Sequence, residues 1–176
     1  MKTILTLAAL LGLAATTTAH VALEQPQAEA GSPYKAVLRI GHGCEGSPTR
    51  AVSVKLPAGF RGAKPMPKPG WAIAIRREPL AEPYESHGRR VTDDVVEITW
   101  TAATREAFLP DAHYDEFVLR GQAPLAVGPA WFRVHQLCEK GEWQWADIPT
   151  EALPQPRAPA ARLDVAAPDP HAGHKH

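Results

Sequence analysis

His20 stands out chemically because of what precedes it. Residues 1–19 have the make-up of a secretory signal peptide. Lys2 gives a positive start, residues 4–15 form a short apolar run, and Thr17-Thr18-Ala19 sets small residues at the cut. Cleavage after Ala19 makes His20 the first residue of the exported chain. A histidine at a free N-terminus offers two nitrogens, its α-amine and its imidazole Nδ1, which close a chelate ring on a metal ion. That bite suits Cu(II), which favours tetragonal nitrogen and oxygen ligands and tops the divalent affinity series. The competing reading is that a histidine falls at the cut site by chance.

The other soft and nitrogen donors are sparse. Cys44 and Cys138 are the two cysteines, and in an exported chain an even pair reads first as a disulfide. The alternative is a two-cysteine Cu(I) or redox site, against which stand the lack of a C-x-x-C motif and of a methionine cluster. Met66 is the only methionine beyond the leader, so a methionine-rich Cu(I) site is excluded. His42, beside Cys44, reads as a polar turn residue. His87 falls in a polar stretch, and His135 alternates away from Phe132 and Val134. His113 sits in an Asp-x-His pair with Asp111, an arrangement similar to that of CopC-like copper proteins. His171, His174 and His176 form a small C-terminal cluster that either collects metal weakly or is incidental.

The elements that must position these groups read as strands. Period-two alternation marks residues 35–40, 49–56, 71–77, 94–101, 114–120, 130–137 and 142–148, with a short strand at 20–25. In the first of these Ala36, Leu38 and Ile40 share a face opposite Lys35 and Arg39. No segment has a helical period with caps. Seven to eight short strands predict an all-β domain, an immunoglobulin- or cupredoxin-like β-sandwich over 20–149. Residues 65–70, with three prolines, predict a stiff connection and not a central strand. Residues 77–92 read as a polar loop or loose hairpin, and 150–176 as a flexible Pro/Ala-rich tail. With 19 basic and 19 acidic residues there is no basic stripe for nucleic acid. The apolar run at 4–15 is too short to span a bilayer.

The residues also carry a resemblance. The motifs are His20-Val-Ala-Leu-Glu24, Gly31-Ser-Pro-Tyr-Lys-Ala-Val-Leu-Arg39, Gly41-His-Gly-Cys44 and Lys64-Pro-Met-Pro-Lys-Pro-Gly-Trp71, followed by Glu97-Ile-Thr-Trp100, Tyr114-Asp-Glu-Phe117 and Cys138-Glu-Lys-Gly141 with Trp145. Together they resemble the YcnI-like family of exported β-sandwich domains, over roughly residues 20–149. The resemblance implies Cu(II) held by a single-histidine brace: the mature amine and Nδ1, a carboxylate, and a tryptophan beside the metal. Transferred by position, His20 is the brace and Glu116 the first choice of carboxylate, with Glu24 second. Trp145 is the neighbouring indole, with Trp71 the alternative. An indole has one N–H and no basic nitrogen, so its part is to shield and orient.

The expected function is therefore a non-enzymatic, periplasmic or secreted copper-binding protein. Its partners would be the copper ion and copper-handling exported or membrane proteins, with no nucleic acid and no small-molecule substrate. One alternative is a two-histidine copper site, CopC-like or of the polysaccharide-cleaving oxygenase kind, which would need His113 or His135 beside His20. The other is a plain sandwich interaction domain.

Overall fold

The computed structural model describes residues 20–168. The leader and the histidines at 171, 174 and 176 lie outside the described residues. The described residues form eleven strands: β1 (Ala22–Leu23), β2 (Gln27–Glu29), β3 (Pro33–Ile40), β4 (Thr49–Lys55), β5 (Arg61–Pro65), β6 (Trp71–Ser86), β7 (Arg89–Ala102), β8 (Asp115–Gln122), β9 (Gly128–Cys138), β10 (Glu142–Trp145) and β11 (Ala161–Ala166). A single 3-10 turn at Arg105–Ala107 is the only helical element among the described residues.

Two sheets face each other, one ordered β1-β3-β8-β5 and the other β2-β11-β9-β4-β7-β6. β10 and β11 share one edge of β9, β11 along residues 128–132 and β10 along 134–137. The alternation that marks the strands does the sorting. Ala36, Leu38 and Ile40 of β3 are fully buried, as are Val52 and Val54 of β4 and Phe117 and Leu119 of β8, while Lys35 and Arg39 face water. Each buried aliphatic or aromatic side chain contributes about 1.5–3 kcal/mol by leaving water. The core aromatics meet edge to face: Trp71 and Trp100 lie 5.1 and 5.7 Å from Phe117, and Phe60 lies 5.5 Å from Phe132.

The proline-rich connection after β5 is anchored by the Trp100 indole, whose Nε1 donates to the Met66 carbonyl at 3.2 Å. The polar stretch at 77–92 is a long hairpin, not a loop, with register shifts between Arg76 and Arg77 and between Pro79 and Tyr84. Buried Asp94 ties it to the other sheet, accepting from Tyr84 Oη at 2.6 Å and from the Gly62 amide at 2.9 Å.

The predicted tail needs correction. Within residues 150–176, β11 pairs antiparallel with β9 and parallel with β2. Ala161, Leu163 and Val165 point into the core, Leu163 with no exposed surface. The alternation was present in the sequence, but it is one short run among prolines and alanines. What fixes it as a strand is the open edge of β9, a tertiary feature. The two other strands not foreseen, β2 and β5, are three and five residues long and too short to show a period.

Candidate metal centre

The site is built where β1 enters the sandwich. The β1–β3 register pairs Ala22 with Arg39 and Leu23 with Leu38, and the Glu24 amide continues it to the Val37 carbonyl at 3.0 Å. Val21 and Leu23 are buried, which fixes β1 in depth as well as in register. His20 is thereby held at the sheet end, half-buried, with its ring 5.9 Å from that of Trp145. The His42 ring reaches the same indole from the loop after β3, at 6.0 Å. Trp145 is 2 % exposed.

Trp145 is locked from two sides. Trp143, two residues earlier, stacks on it at 5.1 Å, with the Arg157 guanidinium over Trp143 at 5.1 Å. The Trp145 Nε1–H donates to Gln136 Oε1 at 2.9 Å. Gln136 is itself 1 % exposed, and its Nε2 donates to the His42 carbonyl at 2.6 Å and to Thr49 Oγ1 at 2.7 Å. One buried amide thus satisfies groups from β4, β10 and the His42 loop, as a buried polar group must. Sequence reasoning passed over Gln136 and took His42 for a turn residue. The signal available was a glutamine at an inward position of β9, between Val134 and Cys138.

The loop carrying His42 is tightly held. The Gly43 amide donates to Asp111 Oδ1 at 2.9 Å. A Cβ at Gly43 would stand 1.9 Å from the Ser47 carbonyl oxygen, so only glycine fits. Cys44 forms a disulfide with Cys138 across a separation of 94 residues, with Cα atoms 5.9 Å apart. His113, the partner of Asp111 in the Asp-x-His pair, is exposed. His135 pairs with Glu142 at 2.9 Å on the surface.

The carboxylates stand on the outer face of the same sheet. Arg39 lies across from Glu116 on one side and Ala22 on the other, so Glu116 is two strands from β1. Two strand spacings and two residues along the strand put it roughly 12 Å from His20 between Cα atoms. The Glu116 carboxylate accepts from the Tyr114 hydroxyl. That hydrogen bond, aided by the nearby charge of Glu24, pushes the Tyr114 phenol up to about 12. Glu24 itself is exposed. Trp71 is elsewhere, packed on Phe117.

Among the described residues no three His, Cys, Asp or Glu side chains gather in a cage. A brace needs fewer side chains, because one N-terminal histidine brings two nitrogens. Within the full chain the His20 nitrogen is a peptide amide, and only removal of residues 1–19 would make it a second donor. With residues 1–19 removed, the donors at this corner would be an amine, imidazoles and outlying carboxylates, a set that fits Cu(II) and not the soft-ligand preference of Cu(I).

The comparisons bear on the whole domain. The chain is similar to an uncharacterized protein from Nocardia farcinica whose crystal structure reveals an immunoglobulin-like fold: 23 % identity and a TM-score of 0.67, over 84 % of this chain and 99 % of that one. The seventh ScaB type I cohesin from Pseudobacteroides cellulosolvens matches at 12 % identity and a TM-score of 0.42, over 89 % and 97 % of the two chains. No curated protein matches. The first likeness establishes an immunoglobulin-like β-sandwich. The model of a domain of unknown function, DUF1775, matches residues 20–165, from His20 to the penultimate residue of β11. The chain therefore belongs to the DUF1775 family, the domain that YcnI-like proteins carry.

Proposed function

We propose that this is an exported copper-binding protein that takes one Cu(II) at the mature N-terminus and serves copper trafficking or homeostasis, without catalysis. The observation that carries the reading is the contact between the His20 ring and Trp145, at the residue where the family match begins. Export is supported by the apolar run ahead of His20 and by the disulfide, which persists in oxidising compartments. The amine and Nδ1 of His20 would hold the ion. A carboxylate, Glu116 before Glu24, would complete the set from the outer face, and Trp145 would shield it. Copper-handling exported or membrane proteins would be the exchange partners.

Copper displaces protons from both an amine and an imidazole, so affinity falls as pH is lowered. The test is titration of the chain beginning at His20 with Cu(II), followed by tryptophan fluorescence. One equivalent should quench part of the emission, and Trp145→Phe should remove most of that quenching while leaving the stoichiometry at one. His20→Ala should abolish tight binding. Full affinity in His20→Ala would overturn the reading.

A further inference from the structure

Strand register gathers cations on the outer face of the four-stranded sheet. Arg120 of β8 lies directly opposite Lys35 of β3 on one side and Lys64 of β5 on the other. All three are exposed, and partners across an antiparallel pair share a face. Among the described residues none of the three is in a salt bridge. The other sheet alternates its charges, with Glu97 standing between Arg76 and Lys55. Like charges directly opposite one another destabilise a sheet, and this row contains two such pairs.

A β-bulge adds a fourth cation. Arg61 pairs with Gln122 and Lys64 with Arg120, so three steps along β5 match two along β8. Gly62, inside that stretch, has a φ of 59°, a left-handed conformation that glycine adopts without strain. Residues three apart on a regular strand point to opposite faces. The extra residue brings Arg61 and Lys64 to the same side, where both line one open cavity of about 300 Å³ with Arg120 and Gln122. The Arg61 guanidinium is seated 4.4 Å above the centre of the Tyr84 ring. No carboxylate lines this cavity. Asp94, behind Tyr84, is buried, and its oxygens accept from the Tyr84 hydroxyl and from the Gly62 and Val95 amides.

Three cations around one cavity match an anion with more than one charge and several acceptor oxygens. Guanidinium groups bind phosphate oxygens through paired N–H donors, and lysine adds a point charge. With 19 basic and 19 acidic residues in the chain, attraction at this place comes from how the charges are arranged and not from their sum. From this arrangement we propose that the cavity between β5, β8 and the β6–β7 hairpin binds a phosphate group, carried by a soluble phosphate or by a phospholipid headgroup. Arg61, Lys64 and Arg120 contact it, and Lys35 extends the positive surface. The site lies at the end of the sheet where Pro33 pairs with Gln122, whereas β1 joins β3 at Leu38 and Arg39. It is independent of the copper reading.

The test uses the disulfide-bonded chain beginning at His20, at fixed ionic strength because salt screens exposed charges. Calorimetric titration with inorganic pyrophosphate probes the soluble source. Co-sedimentation with phosphatidylglycerol vesicles, beside phosphatidylcholine vesicles, probes the headgroup. Binding is expected in at least one arm, with pyrophosphate alone indicating a soluble ligand and phosphatidylglycerol alone a headgroup. Arg120→Gln should weaken that binding about tenfold, as should Lys64→Gln. Lys140→Gln, at an exposed lysine lining a different cavity, should leave it unchanged. The unfolding midpoint of Arg120→Gln should stay level or rise, since two like-charge pairs disappear, which separates lost binding from lost folding. Absence of binding in both arms overturns the proposal. So does binding that Arg120→Gln and Lys64→Gln weaken no more than Lys140→Gln does.

Discussion

Gln136→Leu tests the network beneath the candidate site. The substitution keeps most of the side-chain volume and removes three hydrogen bonds, at 2.6, 2.7 and 2.9 Å. Thr49 retains a contact with Cys138 Sγ at 3.8 Å, so two groups are stranded: the Trp145 Nε1–H and the His42 carbonyl. A buried polar group left without its partner costs about 1–3 kcal/mol. The indole N–H is deeply buried and the carbonyl less so, which gives an expected loss of about 3 kcal/mol. With a urea slope of about 2 kcal/mol/M, the unfolding midpoint should fall by about 1.5 M. Trp145→Phe removes one of the stranded groups at its source. The double variant should therefore be about 1 kcal/mol more stable than the sum of the two single losses predicts. A Gln136→Leu loss below about 1 kcal/mol, or strict additivity in the cycle, would refute the account of Gln136 as the hub.

Three further outcomes follow from the fold. All three tyrosines are pushed up to about 12: Tyr34 by burial, Tyr84 by burial and then its bond to Asp94, and Tyr114 by its bond to Glu116. An ultraviolet titration of the folded protein should show little phenolate near pH 10. Unfolded tyrosines ionise near 10, so stability is fully present below that pH and falls as pH rises towards 12. Buried Tyr34 alone accounts for about 2–3 kcal/mol of this fall. The rise at Tyr114, 56 % exposed, should shrink in high salt, and early ionisation of all three would contradict the packing. Leu163→Ala should cost about 2–5 kcal/mol in chemical unfolding, whereas an unaffected midpoint would show that β11 does not belong to the core. Replacing Cys44 and Cys138 by Ala should cost about 2–5 kcal/mol, given the long loop that they close. Two free thiols found by mass spectrometry of the oxidised wild type would contradict the bridge.

Much of the sandwich was legible because strands exposed on one face write their burial into the sequence. The alternation of β3, β4, β8 and β9 is that of half-buried strands, and each emerged within a few residues of its expected bounds. The pairing of Cys44 with Cys138 was legible for a different reason, since two cysteines admit one bridge. β11 was not legible because Ala161, Leu163 and Val165 become core only through the free edge of β9. The site was half legible. A leader-like stretch ending at Ala19 is a local signal, and the resemblance pointed to Trp145. His42 and Gln136 come to the same corner through register and a buried amide network, neither of which leaves a local pattern. Trp71 shows the converse: it has the right residue type, yet it packs against Phe117.

The most direct measurement is electron paramagnetic resonance of Cu(II) bound to the chain beginning at His20, beside the same chain with one glycine placed ahead of it. The account predicts hyperfine coupling to the His20 amine and imidazole nitrogens in the first, and loss of the amine coupling together with tight binding in the second. Identical spectra and equal affinities for the two chains would contradict it.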